Sequence, residues 1–239
     1  MYKSLSPGKI IETVSLLQQR IDERFPDSNL GRVCAELSKI AHASKKRSDW
    51  IRKPIMGLRV GVGILITFSV VLIVYSISVA EINWGDINGG DLIEAVEASI
   101  QTLFFIGVMS FFLITAEVRI KRERALEAVH ELRVIAHVID MHQLTKDPGR
   151  IINKGWNTAS SPGNDMTVFE LIRYLDYCTE LLSLTGKIAA LYAQNFRDLT
   201  VLSSVNEVEH LTTELSQKIW QKIMILHKLD ESRDVLSSL

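Results

Sequence analysis

Apolar residues are arranged along this chain in two different ways. From Leu58 to Ala80, and again from Ala98 to Ala116, they run on almost without a break. Elsewhere they recur every three or four positions between charged residues. A helix needs ~20 consecutive apolar residues to cross a bilayer core, and each run meets that length. Arg59 is the one charge in the first run, and the second has none. Between them lies the acidic connector EINWGDINGGDLIEAVE, residues 81–97. The pattern predicts an all-α integral membrane protein with a two-helix transmembrane hairpin over 58–116. The second span is expected to continue into a cytosolic helical bundle.

The flanking segments carry the helical period instead. Ser6 and Pro7 read as an N-cap and first helical position, and Ile10, Val14, Leu17 and Ile21 then share one face. Phe25-Pro26-Asp27-Ser28 predicts a turn, followed by a second helix with Leu30, Val33, Leu37 and Ile40 on one side. These helices and the basic, aromatic stretch KKRSDWIRKP make residues 1–57 a cytosolic arm ending in an interfacial segment. Residues 117–239 are expected to form the cytosolic bundle. Neither Gly nor Pro occurs from Val108 to Asp147, so one rod should run from the second span to about Leu144. Pro148, Gly149, Gly155, Pro162 and Gly163 then break the pattern, predicting a loop over 145–166. Thr167-Val-Phe-Glu170 has capping-box spacing and should open a helix reaching Asn195. On the last helix, from near Asp198 to Leu229, Val201, Val205, Val208, Leu215, Ile219 and Leu226 follow a 3-4 spacing. Thr212 and Lys222 interrupt that row, which otherwise resembles a coiled-coil seam or one wall of a bundle, and ESRDVLSSL is expected to fray.

Charge sets the expected orientation. Lys45, Lys46, Arg47, Arg52, Lys53 and Arg59 precede or open the first span, and Arg119, Lys121, Arg122 and Arg124 follow the second. The connector has no Lys or Arg but holds Glu81, Asp86, Asp91, Glu94 and Glu97. Positive charge marks the cytoplasmic side, so both termini are expected inside and the connector outside. Net charge is −1, which gives no reason to expect a nucleic-acid partner. Cys34 and Cys178 fall in the cytosolic parts, without a CxxC partner, and read as small buried residues.

Several groups could carry chemistry. Asp86, Asn88, Asp91 and Glu97 stand in a stretch that resembles an EF-hand calcium loop at its first, third and twelfth positions, with Ile93 at the apolar eighth. The fifth ligand and the sixth-position glycine stand in swapped order, as Gly90 then Asp91. Asp91 capping the next helix explains the same residues without a metal. Glu127-x-x-His130 and Glu207-x-x-His210 repeat the helix half-motif of di-iron bundles, with Glu36 and Glu180 as further carboxylates. Arg133, His137 and Asp140 extend the first pair along one side of the rod, where a polar network between helices is the simpler reading. Asp91, Glu94 and Glu97 would form a cation-concentrating pore mouth in an oligomer, with Ser99, Gln101 and Thr102 continuing it. No cofactor is implied beyond these metal candidates. Hydrolase and phosphate-loop signatures are missing from the chain.

These patterns lead to a membrane-anchored, self-associating helical protein whose cytosolic bundle is an interaction or scaffolding module. Its expected partners are the lipid bilayer, further copies of the chain through the last-helix seam, and a cytosolic protein. A homo-oligomeric cation channel lined by the second span, and a metal-binding bundle, are the alternatives.

Overall fold

The computed structural model of the chain describes residues 4–79, 89–149 and 166–237. The described residues form helices α1 (Pro7–Arg24), α2 (Asn29–Arg52), α3 (Met56–Val79), α4 (Gly89–Leu144), α5 (Val168–Asn195) and α6 (Leu199–Ser237), and no strand. They divide into two compact units, one of Met1–Arg52 with Arg124–Leu239 and one of Lys53–Glu123.

The first unit is a helical bundle around α5. Leu171, Tyr174, Leu175, Cys178, Leu182, Thr185, Ile188 and Tyr192 are buried on one side of that helix, and Tyr177, Leu184 and Leu191 broaden the buried face. So broad an apolar face needs several neighbours to cover it, while Arg173, Glu180 and Lys187 keep the remaining side polar. Helices α1, α2 and α6 pack against it. On α1 the expected face is the buried one, Ile10, Val14, Leu17 and Ile21. On α2, Leu30, Val33 and Leu37 are buried and Ile40 is partly so. Fully burying such a side chain is worth about 1.5–3 kcal/mol, so these stripes decide which way each helix faces.

Local signals place the helix ends. Pro7 opens α1 after an extended Ser6, although the Ser6 hydroxyl makes no capping bond. Asp27 takes a left-handed φ of 57° in the turn that follows, a conformation Asp tolerates better than most residues. Ser28 Oγ then accepts from Gly31 N–H at 3.0 Å and caps α2. The Thr167–Glu170 capping box is complete: Glu170 N–H donates to Thr167 Oγ1 at 3.2 Å, and Thr167 N–H donates to Glu170 Oε2 at 2.8 Å. Asp198 Oδ1 accepts from the N–H groups of Thr200 and Val201 and starts α6.

Three expectations change. KKRSDWIR is not a separate surface segment: α2 runs through it to Arg52, and Ser44, Ser48 and Ile51 are buried in the bundle. The last helix continues to Ser237, since no Gly or Pro follows Leu229 to stop it. The seam of Val201, Val205, Val208, Leu215, Ile219 and Leu226 is filled within the chain, each residue being 0–3% exposed. With α5 already packed on α6, that row is closed to a second subunit. Its two interruptions also gain a reason. Thr212 lies opposite Gly186, where a Cβ would stand 3.1 Å from the Thr212 hydroxyl, so both positions must be small for α5 and α6 to approach. Lys222 turns aside to the end of α4.

The second unit has no such interior. It holds two helices long and apolar enough to cross a membrane, and neither apolar window is buried inside the chain. No described side chain from Met56 to Ile120 is buried. Phe68, Tyr75, Phe111 and Phe112 are more than three-fifths exposed. Just before α3, Ile55 N–H donates to Glu117 Oε1 of α4 at 3.2 Å. Lys121 Nζ lies 2.7 Å from the same carboxylate, and Arg59 Nε 3.7 Å.

Candidate functional site

The residues singled out in the sequence are dispersed. Asp86 and Asn88 lie outside the described residues, as does the Asp91 side chain. Glu94 and Glu97 are exposed near the start of α4. Glu97 and Gln101 share one face of that helix with Ile93, Val96, Ile100 and Phe104, along an open concavity of about 590 Å³. His130 and His137 are exposed on α4, and Glu127 is exposed and has no ion-pair partner among the described residues. Glu207 is held in an ion pair with Arg133, and His210 stands 3.6 Å from Glu214 on its own helix. Glu36 pairs with Lys39, and Glu180 with Arg20. Among the described residues, no group of three or more His, Cys, Asp or Glu stands close enough to hold a metal.

The polar network expected on the rod exists in another form. Arg133 reaches across to Glu207 on α6, but His137 takes no part. Asp140 Oδ1 accepts from Gln143 Nε2 at 2.6 Å. Gln143 is buried, and its backbone and side-chain carbonyls both accept from Lys222 Nζ, at 2.9 and 2.6 Å. The Lys146 carbonyl accepts a further bond at 3.4 Å. The ammonium thus adds a donor to carbonyls at the end of α4, where Lys146 N–H also donates to Gln143 O at 3.1 Å, and its charge suits the negative end of the helix dipole. Burial lowers the Lys222 pKa from its ordinary value, while Asp147 and Asp140 oppose the shift. Nearby, burial pushes the Cys178 thiol up to about 12, and the Cys34 thiol on α2 likewise to about 12. Every polar member of the knot is occupied by another, so it fastens helices together.

Two clefts in the bundle remain open. One, of about 900 Å³, lies among α1, α5 and α6 and is lined largely by hydroxyls, including Thr13, Thr179, Ser183, Thr212 and Ser216. Most of these turn back on their own helices: Thr13 to Lys9 O, Thr179 to Asp176 O, Thr212 to Glu209 O and Ser216 to Thr212 O. Short side chains with satisfied hydroxyls leave a cleft without aiming anything into it.

The other has charge in it. Lys46, Arg47, Trp50 and Ile51 of α2 face Arg124 and Glu127 of α4 around a pocket of about 350 Å³, within the range of ligand-holding clefts. The spacing explains the wall from α2: positions i, i+1, i+4 and i+5 fall on one side of a helix. The Arg124 guanidinium lies 4.0 Å above the Trp50 ring, a cation–π contact that orients it. Arg47 Nη1 donates to Glu131 Oε2 at 2.7 Å and remains partly exposed. Behind it the Tyr192 ring is fully buried, with its hydroxyl beside the Arg47 guanidinium. Among the described residues Lys46 has no ion-pair partner. Three cations around one free carboxylate make the pocket net positive.

Sequence reasoning saw these cations as an orientation signal and did not see a pocket. Nothing in the linear order pairs residue 47 with residue 124. The available hint was that Trp50 stands in a basic helical stretch with Ile51 on the adjoining face. No family model matches the chain, and no curated protein or solved structure is similar to it.

Proposed function

We propose that the chain is a membrane-anchored helical protein that crosses the bilayer twice, with both termini cytoplasmic, and presents its bundle as an interaction module. The observation that carries this reading is that none of the apolar windows of α3 and α4 is buried inside the chain. Monomeric soluble proteins rarely leave contiguous apolar patches beyond a few hundred Å² in water, whereas a bilayer removes that cost. The contacts of Ile55 and Arg59 with Glu117 support a hairpin, because residues at the start of one apolar helix meet a residue at the end of the other apolar run. Basic residues on both flanks and a connector without Lys or Arg support the orientation.

Self-association belongs to the same proposal. With the α6 seam filled, its surfaces are the lipid-facing sides of α3 and α4 together with exposed Trp220 and Met224 on α6.

Single reporter cysteines test the topology. The native thiols at Cys34 and Cys178 are buried and raised to about 12, so they stay silent towards a membrane-impermeant maleimide near neutral pH. In intact cells Glu94→Cys should label and His210→Cys should label only after lysis. Equal labelling of both, or release of the chain by alkaline carbonate, would overturn the reading. The mass of the solubilised particle decides association, and a monomer would end that part.

A second reading, a homo-oligomeric cation channel, rests on Glu97 and Gln101 sharing one exposed face of α4. It requires that Glu97→Gln lower single-channel cation conductance in a reconstituted bilayer.

A further inference from the structure

We propose that the pocket formed by Lys46, Arg47, Trp50 and Arg124 binds the phosphate of an anionic lipid headgroup. The inference rests on the membrane reading above and adds a ligand to it.

Three independent features converge on this ligand. The first is charge: three cations face a common space, against Glu127 in the lining and Glu131, which pairs with Arg47 from outside it. Guanidinium groups match phosphate oxygens with paired donors, and Lys46 adds a mobile point charge. The second is the indole. Trp50 holds Arg124 by its ring face, and tryptophan favours the headgroup layer, where one part of the ring meets apolar surface and its N–H meets water. The third is place in the chain. Trp50 precedes Leu58 by eight residues, and Arg124 follows Ala116 by eight in the same helix. Eight helical residues advance about 12 Å, a span that long basic side chains shorten by reaching back towards the interface. Basic residues close in the chain to the cytoplasmic ends of spans are the kind of group that takes phosphorylated headgroups. The free carboxylate of Glu127 also has a consequence: it weakens a phosphate and would not weaken a zwitterion's cationic end. Its removal should therefore act opposite to removal of the cations.

The test is native mass spectrometry of the full chain in mild detergent, titrated separately with phosphatidylglycerol, phosphatidylcholine and inorganic phosphate. Lys46 and Arg124 are exposed, so the double variant Lys46→Gln/Arg124→Gln should fold normally. It should bind phosphatidylglycerol about 30-fold more weakly, from ~1 kcal/mol per basic residue at ~1.4 kcal/mol per decade. Glu127→Gln should bind it more tightly. The charge-matched control Lys39→Gln/Lys218→Gln, at two exposed lysines outside the pocket, should bind as the native chain does. Equal binding by the pocket variant, equal loss in the control, or phosphatidylcholine binding as tightly would each overturn the proposal. Inorganic phosphate filling the pocket at lower concentration than the lipid would replace a lipid with a free anion and overturn it too. Should the chain prove not to reside in membranes, the anchoring reading fails. Short-chain phosphatidylglycerol titrated onto the detergent-free protein then still decides whether the pocket holds this headgroup, with the same variants and the same outcomes.

Discussion

Leu182 and Phe111 are both large apolar residues inside long helices, yet Leu182 is 0% exposed and Phe111 is 72% exposed. The difference runs through their whole units. In the bundle, apolar residues alternate with charges at the helical period, so each helix has one side to hide and the others hide it. In α3 and the first part of α4 there is no polar side, and no described side chain from Met56 to Ile120 is buried. The same physical preference acts in both places. A stripe can be covered by a few neighbours, as the broad face of α5 is, with Arg173, Glu180 and Lys187 left on its outer side; a helix that is apolar all round needs an interior position or an apolar solvent. α5 and α3 thus differ in that one has a polar side and the other has none.

Substitutions should expose that contrast, and the largest effect is at the centre of the bundle. Leu182→Ala should lower stability by about 2–5 kcal/mol, because it leaves a cavity in a packed interior. On the anchoring proposal, Phe111→Ala should cost about 0.5 kcal/mol or less, since lipid would close over the vacated space. Thermal unfolding in mild detergent reads both, and equal losses would break the comparison.

Smaller effects sharpen it at the fastenings between bundle helices. Lys222→Met removes the ammonium donor from the buried Gln143 side chain and from the Gln143 and Lys146 carbonyls, and should cost about 1–3 kcal/mol. Its pH dependence has a definite sign. The folded pKa of Lys222 lies below its ordinary 10.5, so the folded state disfavours the charged form. In the native chain this group's contribution should rise as pH climbs from the lowered folded value towards 10.5, and fall as pH drops through that window. The difference between native and Lys222→Met midpoints should follow the same window, and a difference that ignores pH would remove Lys222 as its source. Smallest is the cap of α5: Thr167→Ala should cost about 1 kcal/mol and Thr167→Ser much less. The Thr167 N–H and hydroxyl hold the Glu170 carboxyl below its ordinary 4.5. That contribution is complete above 4.5 and is lost as pH falls through the lowered folded value. An acid midpoint that Glu170→Gln leaves unmoved would contradict it.

What the linear order determined is whatever depends on neighbours a few residues apart. The break at Phe25–Ser28, the run of α4 to Leu144, the Thr167 capping box and the end of α5 at Asn195 follow from propensity and capping, which act over one or two turns. The apolar runs were equally plain, because nothing but length and polarity enters them. Which residues meet across the fold is a different matter. The row Val201–Leu226 has the spacing of a seam between subunits and of a wall within one bundle, and periodicity is identical in both; only packing on α5 closes it. Lys222 looks like a defect in that row until the carbonyls of Gln143 and Lys146 stand before it. Glu127-x-x-His130 and Glu207-x-x-His210 have the right spacing for ligands, but the two histidines point to solvent, and Arg133 holds Glu207 instead. The basic pocket joins Arg47 to Arg124 across more than seventy residues, including both apolar helices. Spacing within a helix is a local property that a sequence carries in full. The partner of a helix face depends on how all the faces are shared out, and that sharing is decided only when the chain packs.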